Sequence, residues 1–242
     1  MVSYEEQPDL IIEIDDDVFL NLKQDFVLDH ANNLFDGQGV LVRSKNGWYN
    51  TMDNLVLNTD GRIFPRGHPY SVESRTENYT FSNDQGNCVL NMGLWIGHPD
   101  LDAVTILSQG SLDGRCKIEA KKYKRSKVCV GKGTYFAVCS MNVAFIPKVI
   151  PAFYQLYLNY LDVDRFDDIW SGLVLKKIAD NLEDRVSLGA PIVLHQKRPR
   201  NVFGDLKKEL EGMIINEKFW KIVHEAELEN IESYFDGYSS LV

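Results

Sequence analysis

The chain has no run approaching the roughly 18 apolar residues that a membrane span requires, so no transmembrane helix is expected. Its start, "MVSYEEQPD", lacks the basic-then-apolar pattern of a secretory signal. Positive charge is scarce: 26 Lys and Arg face 35 Asp and Glu, a net charge of −9. That sign argues against broad, salt-driven binding along a nucleic-acid backbone. An anionic ligand would have to be met locally, through a metal or a few placed cations. Cysteine is also sparse, and Cys88, Cys116, Cys129 and Cys139 form no CxxC pair. Buried reduced thiols are expected in place of a zinc site or a disulfide frame. Internal repeats and low-complexity linkers are missing as well. These absences together point to a soluble, cytoplasmic protein.

What remains is ample for a packed core: 242 residues, 44% of them hydrophobic, suit one large domain or two small ones. Residues 9–14 read as a short Ile-rich strand and residues 21–35 as a helix with Leu22, Phe26, Val27, His30 and Leu34 at three-to-four spacing. The stretch from 36 to 85 is rich in Gly, Asn, Asp and Pro, the composition of long ordered loops that line sites. "CVLNMGLWIG" and "TYFAVCSMNVAFI" predict strands, and "RVSLG" and "PIVLH" two shorter ones. "PKVIPAFYQLYLNYL" opens on Pro at a first helical turn and carries an aromatic stripe suited to the core. "RFDDIWSGLVLKKIADNL" reads as a helix with acids at its start, and the segment from Asp205 to Tyr234 as another, with Leu206, Leu210, Met213, Ile214 and Phe219 on one side. Between strands, "RCKIEAKKYKRSKV" concentrates positive charge on what should be solvated surface. Mixed strands and helices define an α/β protein.

The first segment to demand chemistry is "LIIEIDDDVF". Asp15, Asp16 and Asp17 repel one another, and alternation along a strand would send Asp15 and Asp17 one way and Asp16 the other. Two carboxylates just past a strand end can hold one hard divalent cation, with positions left for phosphate oxygens. A solvated acidic turn is the alternative. An EF-hand is excluded, because "DDDVFLNLKQDF" lacks the alternating acids and the central glycine.

Further segments supply context: "FPRGHPYS" presents Arg66 between Pro65 and Gly67, "NMGLWIGHPDLDAVT" sets Trp95 before Asp100 and Asp102, "CSMNVAF" contains Asn142, and "RFDDIWSG" holds Asp167 and Asp168. In this order and spacing, with "DLKKE" later, the set resembles the reversibly glycosylated polypeptide family, whose plant members are UDP-arabinopyranose mutases. The resemblance implies a GT-A-like nucleotide-sugar-binding fold, a UDP-sugar substrate and Mn²⁺ or Mg²⁺. Carried over residue by residue, it implies that Asp15 to Asp17 form the acidic motif, with Asp15 and Asp17 on the metal and Asp16 on the substrate. Arg66 matches the arginine that becomes reversibly glycosylated, and Asp167 and Asp168 the acidic pair near the sugar. Trp95, Asp100, Asp102 and Asn142 are implied substrate contacts, and His195 a further metal or diphosphate contact. Without the resemblance, Arg66 reads as a structural ion pair or a diphosphate clamp, Asp167 and Asp168 as helix-start acids, and His98 and His195 as hydrogen-bonded structural histidines.

The chain departs from the family in two places. "VESRTEN" stands where a second family arginine would be, leaving Arg75 as a shifted candidate. Family members also carry a longer N-terminal βαβ portion, so residues 1–204 are expected to form an incomplete GT-A-like domain with a helical tail, 205–242, packed on it. The strand at residues 9–14 would then have an open edge. The corresponding expectations are a UDP-sugar mutase or glycosyltransferase, or a non-catalytic subunit assembling as a homo-oligomer or with a longer homologue.

Overall fold

A computed structural model describes residues 8–156, 158 and 163–241. Ten strands form one mixed sheet. In chain order they are β1 (Ile11–Ile14), β2 (Val18–Leu20), β3 (Gln38–Ser44), β4 (Leu55–Leu57), β5 (Tyr79–Gln85), β6 (Leu90–Gly97), β7 (Ala120–Tyr123), β8 (Lys127–Val130), β9 (Asn142–Phe145) and β10 (Val186–His195). The helices are α1 (Phe26–Phe35), α2 (Ala103–Ser108), α3 (Asp167–Asn181), α4 (Val202–Glu225) and α5 (Tyr234–Leu241). The sheet runs β1-β9-β6-β10-β8-β3-β5; β2 adds to β10, and the β4–β7 pair hangs from β6. β6 and β10 are parallel at its centre, whereas β1–β9 and β6–β9 are antiparallel. This mixed sheet with helices is the α/β arrangement expected of a GT-A-like fold.

Strand alternation distributes the core to the two faces. Val42, Val128, Val130, Val143 and Phe145 join the main cluster with Ile178 and Ala179 of α3 and Val223 of α4. Their strand neighbours Leu41, Cys129 and Ala144 meet Leu34 of α1 on the other face. All four cysteines are buried and free, as their spacing predicts. No helix among the described residues is long and apolar enough to cross a membrane.

Several elements differ from expectation for local reasons. α1 starts at Phe26, not at residue 21, because Asp25 caps it by accepting from Leu28 N at 3.2 Å. Leu22 and Val27 consequently face solvent, and His30 and Leu34 face in. "RVSLG" and "PIVLH" are one strand, β10, with a register irregularity between Gly189 and Ile192. "TYFAVCSMNVAFI" is strand only over β9, and after a short 3₁₀ turn at Pro147–Val149 residues 150–156 of the aromatic segment are irregular. Its residues 157 and 159–161 lie outside the described residues. The tail begins as α4 at Val202, and Leu206, Met213 and Phe219 of the predicted apolar side pack against the core, but not all of that side does. Leu210 and Ile214 are exposed, while Glu209 and Asn216 are buried.

Candidate functional site

The C-terminal ends of β1, β6 and β10 and the start of β9 meet at one edge of the sheet, where α3 also begins. Ligands of α/β sheets gather at such strand ends. Here they surround a cavity of about 390 Å³, within the usual range for ligand sites. A second groove, of about 610 Å³, shares Asp17, Lys197 and Arg200 with it.

Arg66 is the hub. Its backbone N–H donates to Asp100 O at 3.0 Å, and Nε donates to Asp100 Oδ2 at 3.0 Å. Nη1 and Nη2 donate to Asp168 Oδ1 and Oδ2 at 3.3 and 3.1 Å, the fork geometry that arginine offers a carboxylate. Nη1 also donates to the carbonyl of Arg165. The loop that presents it depends on Gly67, whose φ of +85° suits glycine and whose Cβ, if present, would lie 2.5 Å from Ile169 Cδ1. Arg75, the shifted second arginine, braces this loop from behind. It stacks on Tyr70 at 3.8 Å and donates to Pro69 O at 3.0 Å.

The charges around Arg66 alternate. Lys197, a residue the motif reading missed, donates to Asp100 Oδ1 at 3.2 Å. Burial would raise the Asp100 carboxyl, but Arg66 and Lys197 outweigh it and hold the group well below its ordinary range. Burial likewise opposes the charge on Arg66, yet Asp100 and Asp168 keep its guanidinium protonated well above the usual value. Asp168 is pushed up by burial against the pull of Arg66. Asp167, beside it at the helix start, is half-buried and lines the same cavity. On the opposite wall Asp15 is pushed up by partial burial and by Asp17, Asp168 and Asp100, and Glu13 by burial above all.

Asp15, Asp16 and Asp17 form the turn between β1 and β2 and do not continue the strand. Asp17 Oδ2 faces His195 Nε2 at 3.4 Å. His195 Nδ1 donates to His98 O at 2.6 Å, which fixes the tautomer. Burial, then Lys197, lowers the imidazole pKa, so the ring is neutral. Nε2 therefore aims a lone pair at a carboxylate, buried and without a hydrogen-bond partner. Two electron-rich atoms in that relation call for a cation between them, and an imidazole oriented through its other nitrogen is the usual metal-binding form. One imidazole nitrogen and one carboxylate suit Mn²⁺, completed by ligand oxygens, better than the all-oxygen preference of Mg²⁺. Among the described residues no three His, Cys, Asp or Glu side chains converge as a metal-binding group. Asp15 lines the cavity without completing such a set.

Arg66, Asp167, Asp168, Asp100, Asp15, Asp17 and His195 thus share one cavity. The other expected contacts stand elsewhere. Asp16 opens onto the second groove. Trp95 is a core side chain, 1% exposed. Asp102 caps α2, accepting from Thr105 N at 2.7 Å and from the Tyr70 hydroxyl at 2.8 Å. Asn142 is fully buried, donating to Pro191 O at 3.0 Å and facing His30 Nε2 at 2.9 Å. Trp95, Asp102 and Asn142 are not among the residues that line the cavity, so the structure does not bring these three expected substrate contacts together with Arg66. His98 is structural, its Nδ1 accepting from Lys197 N at 3.1 Å. The basic run is surface, with Lys121, Lys122, Lys124 and Arg125 exposed.

The model of the family described as "Reversibly glycosylated polypeptide" matches residues 9–233. UDP-arabinopyranose mutase 2 of Arabidopsis thaliana is 32% identical over 171 residues, 70% of this chain and 43% of that protein. Probable UDP-arabinopyranose mutase 1 of Zea mays is 33% identical over 164 residues, 67% of this chain and 39% of that protein. UDP-arabinopyranose mutase 1 of Oryza sativa subsp. japonica is 32% identical over 164 residues, with the same coverage of 67% and 39%. The chain therefore spans about two fifths of the length of the curated relatives it matches.

Proposed function

The chain belongs to the reversibly glycosylated polypeptide family, and from that premise we propose that the Arg66 cavity takes a UDP-sugar, with the sugar over Arg66 and Asp168 and the diphosphate toward Asp17, His195 and Lys197. The single observation that carries this reading is the clamped guanidinium: Arg66 lies on a cavity wall between two carboxylates, beside a paired lysine and an orphaned imidazole nitrogen. Acids at one end suit sugar hydroxyls, and cations at the other suit phosphate. The names of the relatives favour a UDP-pentose and a mutase reaction, with transfer to an added acceptor as the glycosyltransferase variant. The buried, unpaired thiols suit a reducing compartment, the cytoplasm.

Asp17 and His195 would hold the divalent cation. When bound, it supplies Lewis-acid stabilisation to the departing diphosphate. The chain's own residues do the rest. Asp168 takes hydroxyl donors from the sugar and faces positive charge developing at its anomeric carbon. In the self-glycosylation step, the bond from that carbon to the β-phosphate oxygen breaks and its electron pair leaves with UDP. An Arg66 nitrogen gives its pair to the carbon, and the proton it sheds passes to Asp168, 3.1 Å from Nη2. A proton acceptor within reach is required, since arginine holds its proton at neutral pH and the flanking carboxylates strengthen that hold; Asp168 is placed to take it.

Incubation with UDP-arabinopyranose and Mn²⁺ tests the scheme. A pentose-sized mass gain on the Arg66 peptide, reversed by excess UDP, is expected, together with ring-contracted UDP-sugar. Absence of any adduct in a protein that binds UDP would remove the covalent step. Calorimetric titration of UDP tests the cation: Asp17→Asn should abolish the Mn²⁺-dependent part of the affinity, and unchanged affinity would overturn the assignment. A second reading, a subunit that assembles with a longer relative, is favoured by β1, which among the described residues pairs only with β9. A stoichiometric longer family member recovered with this chain from its native cell would support it.

A further inference from the structure

Glu209 does not line the Arg66 cavity, yet its carboxylate reaches both segments that hold that arginine. It is completely buried on α4. Oε2 accepts from Ala103 N at 2.7 Å, fixing the start of α2 three residues after Asp100. Oε1 stands 2.9 Å from Arg165 Nε, with the N–H directed off the oxygen, so this contact is an ion pair and not a formed hydrogen bond. Asp205, one turn earlier, stands 3.8 Å from Arg165 Nη1. Arg165 itself has φ of 65°, a left-handed backbone that costs a non-glycine residue about 1–3 kcal/mol and persists only where its surroundings impose it. That backbone turns the Arg165 carbonyl onto Arg66 Nη1. One side of Arg66 is therefore set by Asp100 and the other by Arg165 O, and both segments end on Glu209.

We propose that Glu209 is a positioning residue. By pinning Arg165 and the α2 N-terminus at once, it fixes the direction in which the Arg66 guanidinium is presented to the ligand. Its significance for catalysis rests on the reading of Arg66 as a ligand-facing group, but the geometry itself is testable without any ligand. The structural alternative is that Glu209 merely helps α4 to pack.

Arginine-specific dicarbonyl labelling, followed by peptide mass spectrometry, separates the two. In the parent protein Arg66, 7% exposed and clamped, should label far more slowly than Arg115, whose side chain is 69% exposed. Glu209→Gln keeps the size of the side chain and an acceptor for Ala103 N but removes the charge that holds Arg165. Arg165→Gln removes the same ion pair from its other, partly exposed end. Each should raise the Arg66 labelling rate about tenfold, and the double variant should raise it no further, since both remove one coupled interaction. Val223→Ala, which trims buried packing on the same helix, should leave Arg66 within about twofold of the parent. The proposal is overturned by unchanged labelling in both single variants, by multiplied effects in the double variant, or by equal exposure of Arg66 in Val223→Ala. If Glu209→Gln does not fold, Arg165→Gln and its control decide alone. A parent protein that shows this labelling pattern but binds no UDP would refute the function and leave the positioning role standing.

Discussion

At the residue scale the most constrained group is one the motifs did not single out for chemistry. His30 is fully buried, with Nε2 2.9 Å from Asn142 Oδ1 and Nδ1 3.0 Å from Asn91 Nδ2. The Asn91 amide cannot turn over, because its oxygen already accepts from Ser187 Oγ at 2.9 Å and from Asn33 Nδ2 at 3.2 Å. Nδ1 must therefore accept, and the ring must be neutral. Burial accordingly lowers its pKa from 6.5 to about 4. The unfolded chain takes this proton first on acidification, so the stabilisation is complete above about pH 6.5 and is lost as pH falls toward 4, by about 1.4 kcal/mol per unit. His30→Gln should lower stability at pH 7 by about 1–3 kcal/mol. The same variant should shrink the difference in unfolding free energy between pH 7 and pH 5 by about 2 kcal/mol. Urea titrations at the two pH values check both numbers. At this scale the motifs single out Arg66 and Asp168, which the fold brings into contact on one cavity wall. Asn142 and Trp95 sit in the core away from that cavity, because a buried polar network or an apolar cluster uses the same residue types as a ligand-binding surface. Lys197 went unread because a cation directly after a strand carries no pattern of its own.

At the element scale α4 decides whether the site is assembled. Beyond Glu209 it carries Asn216, which donates to Gly67 O at 2.9 Å and accepts from Trp170 Nε1 at 3.0 Å. It also carries Glu217, which accepts from Tyr70 N and Ser71 N. Gly212 lets the helix approach closely, since a Cβ there would fall 2.3 Å from Phe166 Cδ2. Gly212→Ala should cost about 1–3 kcal/mol by overpacking. It should also weaken UDP binding, because the displaced helix carries the groups that fix residues 67–71; thermal unfolding and calorimetry measure the two effects. An apolar-periodicity reading could not find this helix face, because its buried positions include acids and amides that meet loop backbone. The strands were legible because alternation survives burial on both faces. β10 read as two strands only because Pro191 interrupts an otherwise continuous apolar run.

At the scale of the whole molecule, the sheet's β1 edge and the segments after it show apolar side chains to solvent: Ile14 and Leu20 are partly exposed, and Leu22 is 94% exposed. Concentration-dependent association is the expected consequence. Leu22→Lys with Leu28→Lys should suppress it without moving the thermal midpoint, as light scattering over a concentration series will show. The exposure of Leu22 follows from where α1 begins, which the Asp25 cap sets. The α4 clamp has a different consequence, set by the order in which a polypeptide is made. Gly67 and Tyr70 are bonded to Asn216 and Glu217, residues 149 and 147 positions away. On a ribosome the sheet strands through β10 are complete before α4 has emerged, so a nascent chain would hold Arg66 in a loop with nothing behind it. Non-local contacts of this kind close late. The Arg66 site is therefore complete only once the last long helix has docked behind its loop.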